Sequence, residues 1–125
     1  MKARAKELKE QETKADGLKA VLAAIGEMTG EEKAIAERIH EIVTQSAPEL
    51  APKTYYGMPG WAKDGKVLVF FQSATKFKTR YSTLGFNDNA MVDEGSMWPV
   101  AYAITTLTAA HEKSIAALVK KAVAS

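Results

Sequence analysis

The run Trp61-Ala-Lys-Asp-Gly-Lys-Val-Leu-Val-Phe-Phe-Gln72 decides the fold. Asp64-Gly65 accepts positive φ at both positions, so it predicts a two-residue hairpin turn joining antiparallel strands. Val67 to Phe71 is apolar on both strand faces, which predicts a central strand covered above and below. A sheet extended by tight turns rather than by helical crossovers is antiparallel.

Working outward, Thr54-Tyr-Tyr-Gly-Met-Pro-Gly-Trp61 enters the hairpin. Its glycines and Pro59 predict a sharp bend. Tyr55, Tyr56, Met58 and Trp61 around that bend either line a pocket or fill the core. On the other side, Lys76-Phe-Lys-Thr-Arg-Tyr81 alternates strictly. That period predicts a further strand with Lys76, Lys78 and Arg80 on one face. Asn87 to Ser96 reads as a long polar connection, with Ala90, Met91 and Val92 as a short buried turn. Val100 to Thr105 is the expected last strand.

Helical patterns flank the strands. Leu18, Val21, Leu22 and Ile25 form one apolar stripe, and Gly26 and Gly30 bracket a break that Met28 plugs. Thr29-Gly-Glu-Glu32 matches a capping box, Ile35, Ile39, Ile42 and Val43 are the next buried stripe, and Pro48 ends that helix. Thr108 caps a closing helix with Ile115, Leu118, Val119 and Ala122 on its apolar face. Lys120 and Lys121 complement its dipole. The expected fold is therefore α+β, a two-layer sandwich of a small antiparallel sheet packed against two N-terminal helices and one C-terminal helix. Residues 1–17 read as a polar helical arm, with Lys6/Glu10 and Glu10/Lys14 spaced to pair, and 18–125 as a single domain.

The chain has 125 residues, 46% of them hydrophobic, and a formal charge of +2. These values fit one globular domain and argue against nucleic acid, which calls for a more concentrated positive charge. With no cysteine, disulfides, thiolate zinc sites and a cysteine nucleophile are excluded. The N-terminus lacks a signal-peptide apolar run and no window reaches the roughly 20 apolar residues of a membrane span, so the expected location is the cytoplasm.

Chemistry-bearing residues are sparse. His40 lies among Glu37 and Glu41 on the second predicted helix, a grouping that offers weak metal ligation without the HExxH spacing. Ser46, Ser73, Ser82 and Ser96 lack a nucleophile-elbow context. Gly57-Met-Pro-Gly60 is a turn rather than a phosphate loop. Lys76, Lys78 and Arg80 are the best basic patch, with Lys53, Lys63 and Lys66 as its expected neighbours. Trp61 and Trp98, with Tyr55, Tyr56, Phe77 and Tyr102, either wall a cleft for a planar ligand or pack the core.

Ala47-Pro-Glu-Leu50, then YYGMPGW, then DGKVLVFFQSATKFKTRYSTLGF resembles the bacterial YdhG-like group, domain of unknown function 1801, over residues 18–124. The resemblance implies a frataxin-like two-layer α+β sandwich. It also implies, for some members, iron delivery by helix carboxylates, which here are Glu31, Glu32, Glu37 and Glu41 with His40. Lys33 and Arg38 interrupt that acidic ridge. The leading expectation is a non-enzymatic binding domain without a cofactor, a monomer or homodimer. Tyr55, Tyr56, Met58, Trp61, Lys76, Lys78, Arg80 and Trp98 would engage a small anionic ligand or a protein partner. Iron carried by the helix carboxylates is the alternative.

Overall fold

The computed structural model describes the backbone of residues 2–124 and the side chains of residues 14–124. Helix α1 (Lys2–Gly26) and helix α2 (Gly30–Ser46) lead into β1 (Ala51–Pro52), β2 (Gly60–Lys63) and β3 (Lys66–Gln72). A single helical turn α3 (Ala74–Phe77) precedes β4 (Ser82–Phe86) and β5 (Ala101–Ile104), and α4 (Ala109–Val123) closes the chain. The five strands form one antiparallel meander in chain order. The sheet packs against the N-terminal and C-terminal helices, as the element pattern predicts.

Asp64 and Gly65 both have positive φ, and the β2–β3 hairpin closes around them as expected. β3 is the central strand, but helices cover only one of its faces. Trp61 opposes Val69 while Ala62 opposes Val67, so Leu68 is an extra residue in a β-bulge. The bulge turns both Leu68 and Val69 into the helix-side core. This is why the run reads as apolar on both faces. Val67 and Phe70 lie on the opposite face, where Tyr55 packs against Phe70 with ring centroids 5.2 Å apart.

That second face is shaped by glycine. A Cβ on Gly85 would lie 2.3 Å from the Phe70 ring, and one on Gly60 would lie 2.6 Å from the Lys53 carbonyl oxygen. Bare backbone at these two positions lets the aromatic ring and the returning chain lie flat on the sheet.

Helix α1 runs without a break through residues 17 and 18. The Lys6/Glu10 pairing and the side chains of residues 1–13 lie outside the described residues. Of the first stripe, Val21 and Ile25 are buried while Leu18 and Leu22 stand largely exposed, so Met28 completes a narrower seam than the sequence predicts. Gly17 lies against the Pro52 carbonyl, so close that a Cβ there would meet its oxygen at 2.0 Å. This contact seats α1 along β1. The α2 stripe Ile35, Ile39, Ile42 and Val43 is buried as predicted. Helix α2 joins α4 through Arg38, which binds Glu41 at 2.7 Å and Glu112 across the helix pair.

Two capping expectations part ways. Thr108 caps α4 as predicted, with His111 completing the reciprocal box: Thr108 Oγ1 accepts from His111 N at 3.2 Å and His111 Nδ1 accepts from Thr108 N at 3.3 Å. Thr29 makes no side-chain cap, and Glu32, whose carboxylate would supply the reciprocal half of the box, is turned away into a tertiary contact.

The strand predicted over Lys76–Tyr81 does not form. Ser73 caps a helical turn there by accepting from Lys76 N, and Lys78 closes it in the left-handed conformation at φ 55°. The periodic alternation of that segment loses to local capping and to Glu32, so no basic strand face exists. In the long connection, Ala90 and Val92 are buried as expected and Met91 is exposed.

Candidate functional site

The bend at Tyr55–Met58 is itself a tight turn. Tyr55 N donates to Met58 O at 2.8 Å and Met58 N to Tyr55 O at 2.9 Å. Tyr56 and Gly57 between them have φ of 50° and 78°, the pattern of a type I′ turn. Gly57 suits that conformation, but tyrosine does not, so the backbone at Tyr56 is strained. Its side chain is nevertheless 80% exposed, so no core contact repays the strain. Tyr55 meets it edge-on, with ring centroids 4.7 Å apart.

This turn separates two depressions. On the open face of the sheet, a groove of about 550 Å³ runs between the turn and the Asn87–Asn89 loop. Lys53, Tyr55, Tyr56, Lys66, Asn87 and Asn89 line it. Lys53 Nζ donates to Gly65 O at 3.1 Å, and the amides of Asn87 and Asn89 donate to Val67 O and Lys66 O. Asn89 Oδ1 is sealed in the wall with no partner, an unmet acceptor that weighs against local stability. Among the described residues, no carboxylate forms an ion pair with Lys53 or Lys66. Asp88 lines the same groove.

On the helix side of the turn lies a smaller, partly open pocket of about 240 Å³, walled by Met28, Met58, Pro59 and Phe77. Glu32 on its wall accepts from Ser73 Oγ at 2.9 Å, Thr75 N at 3.1 Å and Ser82 Oγ at 3.3 Å. Burial pushes that carboxyl up, but the N–H of Thr75 and the other donors outweigh it and hold it below the usual carboxylate range. With three donors on Oε1, Glu32 acts as a clasp joining α2 to α3 and β4.

The eight expected ligand-binding residues are dispersed. Tyr55 and Tyr56 line the open groove and Met58 the smaller pocket. Lys76 stands at the turn between them, with Nζ 3.0 Å from Gly57 O. Lys78 ends α3, and Arg80 stacks on Tyr81 with its guanidinium 5.3 Å from the ring centroid. Trp98 packs half-buried on the core and borders neither depression.

Trp61 is sealed beneath α2 at 1% exposure, so it belongs to the core rather than to any cleft. Its indole N–H donates to His40 Nδ1 at 3.2 Å, which fixes that nitrogen as the acceptor. Burial lowers the His40 pKa, with Glu41 opposing it.

The acidic residues of α2 are spread likewise. Glu41 binds Arg38, Glu32 binds the α3 turn, and Glu31 and Glu37 are exposed to solvent. Among the described residues, no three His, Asp or Glu side chains gather into a set able to hold a metal ion. No described helix is long and apolar enough to cross a membrane.

Sequence reasoning passed over Asn87 and Asn89. The signal was present in the meander itself: β4 runs antiparallel to β3, so the residues after Phe86 must fall beside Lys66 and Val67. Comparison of the chain with protein-family models, curated proteins and solved structures finds no match.

Proposed function

We propose that this chain is a small-molecule binding domain, and that the groove on the open sheet face takes a planar ligand bearing an anionic group. One observation carries the reading: Tyr56 is held in a strained left-handed conformation with its ring exposed. Strain retained without a core contact is a mark of functional positions. The exposed ring gives a planar ligand a face to stack on, braced from behind by Tyr55. Lys53 and Lys66 supply cations for the anionic group. Stackers, cations and amides hold a ligand rather than transform it, so the reading is binding and not catalysis.

Titration with adenosine monophosphate, a planar anion, followed by amide and side-chain NMR shifts tests it. Shifts should concentrate at Tyr56, Lys66 and the Asn87 and Asn89 side-chain amides. Tyr56→Ala and Lys66→Ala should each weaken binding on the order of tenfold, the loss of one stacking or charged contact. Unchanged spectra at millimolar nucleotide, or variants that both bind as tightly as the wild-type chain, would overturn the reading.

A further inference from the structure

The last strand of the sheet has an unguarded edge. Phe86 N donates to Val100 O at 2.7 Å, so Val100 directs its peptide groups toward β4. By strand alternation Tyr102 and Ile104 do the same, in register with Leu84 and Ser82. The N–H and C=O of Ala101 and Ala103 therefore point away from the sheet. Native edges are normally blunted by charge, proline or a bulge, and Ala101–Ile104 contains none of these.

We infer that β5 pairs antiparallel with the β5 of a second copy of this chain, about a two-fold axis at Tyr102. The backbone supports this occupant because the edge is complementary to itself. Set antiparallel, Ala101 of each copy faces Ala103 of the other, and each facing pair exchanges two hydrogen bonds. All four outward groups on each strand are then satisfied, with no residue left over. The side chains of Ala101 and Ala103 are small and exposed, so nothing obstructs the approach.

Four residues of backbone bury less than the roughly 1,200 Å² of a stable interface. The surroundings supply more apolar surface. Met97, 89% exposed, and Val100, 47% exposed, lie on the chain entering β5. An apolar cavity of about 230 Å³ between β5 and α4, lined by Tyr102, Ile104, Leu107, Ile115 and Leu118, lies beside the same edge. This inference is independent of the ligand groove.

Sedimentation velocity across a concentration series, with amide hydrogen exchange, tests it. A species of twice 13.6 kDa should appear at high concentration, with the Ala101 and Ala103 amides protected there and exposed on dilution. Ala101→Lys with Ala103→Lys sets lysine against lysine in both facing pairs and should raise the dimer Kd on the order of tenfold. Ala101→Lys with Ala103→Glu sets opposite charges together and should restore the dimer. A wild-type chain that stays monomeric into the millimolar range overturns the inference. So does a dimer that leaves the two amides unprotected, or in which both paired variants behave alike.

Discussion

Tyr56 occupies a position whose conformation tyrosine resists. The I′ turn favours asparagine followed by glycine, and Gly57 already stands at the second place. Tyr56→Asn should therefore stabilise the protein by about 1 kcal/mol, measured as a raised denaturant midpoint with an unchanged m-value. The same change removes the stacking ring, so stability and nucleotide binding should move in opposite directions. A Tyr56→Asn variant less stable than wild type would mean that the ring makes contacts in solution that outweigh the strain. The sequence made this residue conspicuous without revealing its role. Pro59 and two glycines announce a bend, but whether a tyrosine in it points outward depends on φ at one residue.

At the scale of elements, the clasp at Glu32 is the clearest case of tertiary structure overruling local preference. Thr29-x-x-Glu32 has the letters of a capping box and Lys76–Tyr81 the period of a strand. The carboxylate leaves its own helix to hold Ser73, Thr75 and Ser82, which removes the reciprocal half of the box and fixes a helical turn where the strand was expected. Charge-assisted bonds to partly buried donors outweigh a solvent-exposed cap. Glu32→Ala should cost about 1.5–3 kcal/mol, since it strands the Ser73 and Ser82 hydroxyls, and it should release the α3 turn first. Hydrogen exchange at Thr75 N and Lys76 N reports that release directly. Retained protection at those amides would assign the turn's stability to Ser73 alone. The β2–β3 hairpin, the buried stripe of α2 and the Thr108 cap were legible because each is settled within a few neighbouring residues. The bulge at Leu68 was not, since an apolar run looks the same whether one face or two are covered.

Across the whole molecule, Trp61 beneath His40 ties sheet to helix at the centre of the core. His40 must be neutral at Nδ1 to accept the indole proton, and burial lowers its pKa below 6.5. The unfolded chain takes up a proton near pH 6.5, and the folded chain resists until a lower pH. Global stability should thus be full above about pH 7 and decline as pH falls through 6.5, by at most about 1.4 kcal/mol per pH unit from this group. Denaturant midpoints between pH 5 and 8 measure the effect, and His40→Gln, which keeps an acceptor but does not titrate, should flatten it. An equal slope in that variant would place the titration elsewhere. The core half of the aromatic set was foreseeable as a class, yet the division between buried Trp61 in β2 and exposed Tyr56 at the tip of the turn depends on where the bend ends and the strand begins, which the sequence conceals.

The contact of Gly17 with the Pro52 carbonyl has a consequence for assembly. Helix α1 occupies the border of the sheet at β1, where Pro52 also lacks an N–H to offer. The sheet is thereby directional: one margin is closed by its own chain and the other is open. Growth by edge joining has to stop after a single step, so this molecule can build a finite pair but cannot extend into a fibre.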